Sequence, residues 1–263
     1  MVHLFGADDG SADPAVAAAL AAFAAGTGSE HAALTSLAGV RLLVPVVAAT
    51  AEETGDRAPA GDRVPAGDRV PAGDRVPAGG QLPAGGHPAA GGRAEKASEM
   101  SIPTLVGNDG RSAVPAFTCL DALVRWRPAA RPVPVQASSV WQSAVADSCA
   151  VVLDIAGPVP LAIDGARLTA LAGGQPLPLP HEDPDVLAEL TAAVAGQPAI
   201  GSARLADGGA DGDLAIELAF LPGHDGSAGE LAQLVGTALL ARLGSRLRRG
   251  IKVVISPSSP AGG

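Results

Sequence analysis

A tandem hexapeptide, Arg-Val-Pro-Ala-Gly-Asp in its clearest copies at residues 63–68 and 69–74, removes a long stretch of the chain from any packed core. Six copies, progressively altered, cover residues 57–92. Each copy contains a proline, which is incompatible with a helix interior, and a glycine, which adds conformational freedom. No face of the repeat is apolar enough to bury. We therefore predict that residues 51–94 are disordered with polyproline II character.

The function of this repeat is best interpreted as that of a tolerated, expanded loop. Proline-binding grooves usually recognise the spacing PxxP, whereas these prolines recur every six residues. Specific docking of the repeat to a proline-binding partner stays open as the alternative.

The rest of the chain has to build its core from small aliphatic side chains. Hydrophobic residues make up 47% of the sequence, but aromatic residues only 2%. Because burial stabilises by about 25 cal/mol per Å² of apolar surface, small side chains each contribute little, and we expect modest stability. The formal net charge of −9 argues against nucleic-acid binding by the whole chain, which normally requires a basic face.

Cellular location is predicted from three sequence features. Neither Cys119 nor Cys149 lies in a CxxC pair, which is typical of free thiols in a reducing compartment. The N-terminus lacks the basic segment of a secretory signal, and the apolar stretch at residues 14–25 is too short to span a bilayer. We expect a cytoplasmic protein that does not enter a membrane.

Helix and strand patterns alternate through the first part of the chain. A proline after Asp13 predicts a helix over residues 14–25, and Thr118-Cys-Leu-Asp121 resembles a capping box that opens a helix ending at Trp126. A Gly-Asn-Asp-Gly turn at 107–110 predicts a hairpin. The other predicted elements are strands at 40–48, 102–106, 112–117, 150–155 and 161–163, an irregular connection at 128–134, a helix capped by Ser138 or Ser139, and a helix capped by Asp164.

A second unit is predicted after a proline-spaced linker at residues 175–182. It reads helix, strand, strand, helix, strand, over 184–195, 199–206, 213–221, 227–243 and 251–255. Its long helix, opened by a capping box at Ser227, carries an apolar stripe of Leu231, Leu234, Val235, Ala238, Leu239 and Leu243. We predict the α+β or α/β class, with two small mixed domains at 1–174 and 183–257, the long disordered Pro/Gly insertion at 51–94 within the first, and a disordered tail at 258–263.

The segment from Glu95 to Trp126 resembles the N-terminal domain of the SseB family, which is named for an enhanced serine sensitivity phenotype. The similarity rests on the strand ending Pro115-Ala-Phe-Thr118, on the helix that starts there, and on Trp126 at its end. Residues 161–168 fit the end of the same domain, so the resemblance covers about residues 2–171. The second unit is similar in layout to the family's C-terminal domain. The resemblance implies a poorly defined molecular function, a link to serine metabolism by name only, and no catalytic residues.

Local signatures of catalysis are absent from the sequence. It contains no GxxxxGK[ST], no strand-following GxGxxG, no HExxH and no GxSxG. The densest polar cluster, His181-Glu-Asp183, is interpreted as a linker followed by a helix cap, because a metal site needs three or four ligands from separate elements. We predict no catalytic, cofactor-binding or metal-binding residue.

Three functional hypotheses remain open, and the favoured one is a non-catalytic binding or regulatory module for an unknown protein partner or small metabolite. The second is an enzyme with an unrecognised site, which requires carboxylates or a thiol to converge. Its candidate residues are Asp109, Asp121, Asp154, Asp164 and Cys119. The third is an RNA- or translation-associated factor that uses the one basic run, although a helix-dipole role also explains that run. The candidate partner-binding residues in this run are Arg242, Arg246, Arg248, Arg249 and Lys252.

Overall fold

The computed structural model describes residues 8–48, 100–107, 110–223 and 227–256. The predictions for the insertion at 51–94, for Asp109 and for the tail at 258–263 fall outside these residues. The helices are α1 (Pro14–Ala24), α2 (Glu30–Thr35), α3 (Leu120–Trp126), α4 (Ala137–Ala146), α5 (Gly165–Gly173), α6 (Pro184–Val194) and α7 (Ala228–Leu243). The strands are β1 (Arg41–Ala48), β2 (Met100–Ser101), β3 (Leu105–Val106), β4 (Ser112–Ala116), β5 (Arg131–Gln136), β6 (Ala150–Leu153), β7 (Leu161–Ile163), β8 (Ile200–Asp207), β9 (Leu214–Phe220) and β10 (Ile251–Ser256).

These strands form three sheets, in the orders β2-β1-β5, β3-β4-β6-β7 and β10-β9-β8. Two pairs, β4 with β6 and β9 with β10, are parallel, and the other pairs are antiparallel. An isolated bridge between Leu43 and Phe117 connects the first two sheets. Helices and sheets are therefore mixed along the chain, which confirms the α+β character.

The described residues form two large hydrophobic cores and a smaller third cluster around Phe117 and Leu123. One runs from Val16 to Leu171 and is centred on Trp141, the largest of its fully buried side chains. The other runs from Val186 to Leu247 and packs α6 and α7 against the sheet of β8, β9 and β10. The domain boundaries drawn from the sequence remain a prediction. Among the described residues, no helix is both long and apolar enough to cross a membrane.

The predicted irregular connection at 128–134 is wrong, because β5 forms there despite two prolines. β5 is an edge strand that pairs with β1, placing Pro134 opposite Leu43 and Pro132 opposite Pro45. The backbone N–H and C=O of Leu43 bond Phe117, on the side away from β5. The prolines therefore occupy positions where no donor to β1 is needed, which is where an edge strand tolerates proline.

Helix starts differ from the predicted caps at two places, while Asp164 and Ser227 lie at their predicted N-cap positions without a side-chain capping bond. Thr118 does not cap α3; Cys119 is its N-cap and makes no side-chain capping bond. The Thr118 hydroxyl donates instead to Asp154. Likewise α4 begins at Ala137 after Gln136, so neither Ser138 nor Ser139 is its cap. The capping pattern at Thr118 therefore did not reveal that its hydroxyl can reach the carboxylate of Asp154.

The apolar stripe predicted on the long helix is partly wrong. Val235, Leu239 and Leu243 are buried, and Leu231 packs at the margin of the core, but Leu234 is exposed. Gly236 takes part in the buried face instead, because its missing side chain allows close approach of Val253 on β10; a Cβ there would lie 3.1 Å from a Val253 methyl group.

Candidate functional site

The side chains of the basic run do not converge on one site. Arg242, on the exposed side of α7, pairs with Glu189 of α6 at 2.7 Å. Arg249 donates to the backbone carbonyls of Gly209 and Ala210, at 3.0 and 2.7 Å, and is half-buried. Lys252 is exposed on β10.

The other two arginines of this run contact the N-terminal part of the chain. The Arg248 guanidinium lies 4.9 Å from the centre of the Phe23 ring, a cation–π geometry, and donates to the carbonyl of Ala24 at the end of α1. Arg246 reaches Glu30 on α2: its Nε lies 3.1 Å from Glu30 Oε2. Both side chains therefore connect segments more than two hundred residues apart in sequence.

Arg246 belongs to a group of four charged side chains that we call the buried charge cluster: Glu30, Arg167, Asp183 and Arg246. Its second contact is an ion pair of 2.5 Å with Asp183 Oδ2, at the N-cap of α6. The remaining oxygen of Glu30 pairs with Arg167 of α5, also at 2.5 Å. Glu30 is 7% exposed and Asp183 only 1%, so these pairs are removed from water.

Carboxylates around the cluster fix its arginines and helix ends. Asp164 binds Arg167 and Arg111 through its two oxygens, each at 2.7 Å. Asp185 accepts a bond from the backbone N–H of Ala166, and so caps α5 from the first turn of α6. The N-terminus of α5 is therefore capped by a side chain of the following helix, α6.

Each charge in the cluster is stabilised by its oppositely charged neighbours. Burial raises the pKa of Glu30, although Arg167 and Arg246 favour its ionised form. Removing one member of a buried ion pair leaves an uncompensated charge, which typically costs about 3–5 kcal/mol. The cluster consequently holds α2 and α5 against the start of α6 and the segment after α7.

Asp154 is a second buried carboxylate, located immediately after β6. One oxygen accepts from the backbone N–H of Thr118 at 2.9 Å and the other from its hydroxyl at 2.6 Å. Burial raises the pKa of Asp154, while both bonds from Thr118 oppose that shift. Its backbone φ of 48° is left-handed, a costly conformation for a side-chain-bearing residue. The carboxylate thereby joins the ends of the parallel strands β4 and β6.

The described candidate residues of the enzyme hypothesis contact different partners. Asp164 binds arginines, Asp154 binds Thr118, Asp121 is exposed in the first turn of α3, and Cys119 is half-buried beside it. Between residues that the structure describes, no hydrogen bond or ion pair joins two of these candidates. Within the same ranges, no three His, Cys, Asp or Glu side chains are arranged to hold a metal ion.

A shallow, open cleft of about 460 Å³ lies between the end of α1 and the end of α7. One wall is the end of α1, from Ala24 to Gly26, and the other is the end of α7 and the segment that leads to β10. Arg248 lines this cleft, so one of the predicted partner-binding residues faces a concave surface.

The sequence did not reveal the pairing in the buried charge cluster. Glu30 and Arg167 are 137 positions apart, and Arg246 and Glu30 are 216 apart. Each residue has an ordinary local explanation, such as the acidic first turn of α2 or the helix-dipole role given to the arginines. The one available signal was Arg167, the only charged residue of a helix segment rich in Ala and Leu.

Comparison with known proteins gives one match. A family model described as SseB protein N-terminal domain matches residues 16–170, which is more than half of the chain. No curated protein and no solved structure matches the chain.

Proposed function

The chain belongs to the SseB family, and from this premise we propose that it is a non-catalytic binding or regulatory module. Its two groups of elements, the N-terminal group (α1–α5 and β1–β7) and the C-terminal group (α6, α7 and β8–β10), jointly hold a protein partner or a small metabolite. The observation that carries the proposal is the buried charge cluster, which ties α2 and α5 to α6 and to Arg246. A fixed arrangement of the two groups gives a joint surface that neither has alone.

The cleft between α1 and α7 is the concave part of this joint surface. Its walls come from residues 24–26 and 240–250, so a ligand there contacts both groups at once. Arg248 supplies a guanidinium and the ends of two helices supply backbone carbonyls. This combination suits a small polar ligand carrying both an anionic and a cationic group, as free amino acids do.

The carboxylates that an enzyme would need have other roles. Asp154 closes the ends of two strands, and Asp164 neutralises two arginines. This is why we favour binding over catalysis. Location in the cytoplasm and a link to serine metabolism belong to the same proposal, the latter through the family name alone.

Titration calorimetry of the full chain with L-serine and with the other free amino acids tests the small-molecule arm. Ser245→Trp fills the cleft at an exposed position, and Ser202→Trp places the same side chain on exposed β8 as the matched control. We expect saturable binding of at least one amino acid that Ser245→Trp abolishes and Ser202→Trp retains.

Affinity capture from cytosol with the same three proteins tests the protein arm. A partner retained by the unmodified chain and by Ser202→Trp, but not by Ser245→Trp, supports the proposal. Two results contradict it: equal behaviour of both tryptophan variants in both arms, or a turnover activity that Asp154→Asn abolishes.

A further inference from the structure

The two edges of the sheet β10-β9-β8 differ in how they are protected from pairing with another chain. The β8 edge is interrupted by a register irregularity between Ile200 and Ser202, with Gly201 at that point, and it presents the exposed Arg204. Bulges and charges of this kind are the usual means of blocking an edge strand. The β10 edge carries one exposed charge, Lys252, but no bulge: it contains no proline or glycine and pairs with β9 in unbroken register from Ile251 to Ser256.

An apolar strip accompanies this regular edge. Ile251, Val253 and Ile255 alternate onto one face of β10; the first two pack against the second core, but Ile255 remains 47% exposed. The strip continues on α7, where Leu240 lies one turn beyond Gly236, the residue that contacts Val253, and is 42% exposed. The opposite flank of α7 faces α6, as the pair of Arg242 with Glu189 shows. The strip is therefore on the side of α7 that α6 does not cover.

The strand has the symmetry that pairing with itself requires. The apolar row Ile-x-Val-x-Ile reads the same in both directions. In an antiparallel pair about a two-fold axis, Val253 lies opposite Val253 of the second copy, and Ile251 lies opposite Ile255 of the second copy. Lys252 then lies opposite a valine, so no like charges face each other directly.

From this geometry we propose that the edge of β10 that no described strand covers pairs with β10 of a second copy, forming a two-fold dimer with a continuous six-stranded sheet. Six residues of strand and Leu240 make a small contact, so the dimer is weak and depends on concentration. The two copies carry like net charge, −9 by sequence, and added salt therefore strengthens the association. Binding of an acidic partner to the arginines would respond to salt in the opposite direction. The argument for the dimer does not use what the cleft binds, although Leu240 lines both surfaces.

Sedimentation velocity of the full chain over about a hundredfold range of concentration tests the dimer. We expect the mean mass to rise from one copy towards two, and to rise further when salt is added. Ile255→Glu places a charge in the paired row and should weaken association at least tenfold. Leu187→Glu, at a residue 51% exposed on α6, is the matched control and should associate like the unmodified chain.

Hydrogen exchange of the unmodified chain provides a second measurement that needs no variant. Amides of residues 251–256 should exchange more slowly as concentration rises, while amides of β8 should not change. A single-copy mass at the highest concentration overturns the proposal. So does equal association of the two glutamate variants, or protection that appears on β8 instead of β10.

Discussion

Two left-handed glycines bound α5, and only one of them is crowded. Gly165 has φ of +56° and Gly174 has φ of +62°. A Cβ on Gly174 would meet nothing within 4 Å, whereas a Cβ on Gly165 would lie 2.0 Å from Asp185 Oδ2, the atom that caps Ala166. The two glycines therefore share a backbone conformation but differ in the space available for a side chain.

Alanine at these two positions should destabilise the protein unequally. Gly174→Ala should lower the free energy of unfolding by about 1 kcal/mol, the usual cost of a left-handed alanine. Gly165→Ala should lose roughly a further 1–2 kcal/mol, because the Asp185 cap is displaced. Urea unfolding of both variants measures the difference. Equal losses would show that the contact with Asp185 contributes nothing to stability.

Asp154 gives a prediction about pH. Because burial raises its folded-state pKa above the unfolded value, its contribution to stability is fully present below the unfolded pKa and is lost as pH rises through the folded pKa. Asp154→Asn cannot ionise, and the Thr118 hydroxyl can still bond the amide. The unfolding free energy of the variant, relative to the unmodified chain, should therefore rise between acidic and neutral pH. Urea midpoints across that range measure this, and parallel curves for the two proteins would contradict it.

At the scale of elements, the sequence predicted most helices and strands, but it missed α2, whose Ser29 cap is local, and β5, which depends on a distant partner. Proline caps at Asp13 and Asp183 were recognisable because the capping bonds are local. β5 was missed because its prolines are acceptable only when β1 lies on the correct side, which no local pattern records. For the same reason the Thr118 pattern was assigned to a cap, although its hydroxyl bonds Asp154, 36 positions away.

The segment at 49–99, which contains the insertion predicted at 51–94, is flanked by two paired backbone positions. Ala48, the last residue of β1, lies opposite Met100, the first residue of β2, in antiparallel register. Cα atoms in such pairs are about 4.5–5.5 Å apart, so a hairpin turn of a few residues can join them. The two described residues that flank this segment are therefore held next to each other.

Replacing residues 49–99 by Asn-Gly should leave the fold intact. We expect the thermal midpoint to be unchanged or slightly higher, because closing a shorter loop costs less chain entropy. Differential scanning calorimetry of the shortened and full chains measures the midpoint. A large fall in midpoint, or loss of cooperative unfolding, would show that the insertion contributes to the core and would also contradict its predicted disorder.

At the scale of the whole molecule, the account rests on the buried charge cluster that fixes the two groups of elements together. The sequence predicted two units but not this connection, because its ion pairs join residues in α2, α5, α6 and the segment after α7. The cluster has lost its hydration, so it acts as a unit: one missing charge leaves the others buried without compensation.

Urea unfolding followed separately in the two groups tests that claim most directly. Trp126 and Trp141, the two tryptophans of the chain, report the N-terminal group by fluorescence, and hydrogen exchange of β9 reports the C-terminal group. In the unmodified chain and in the exposed control Arg242→Ala we predict coincident midpoints, and in Arg246→Ala two separate ones. Separate midpoints in the unmodified chain, or coincident and unshifted midpoints in Arg246→Ala, would contradict the account.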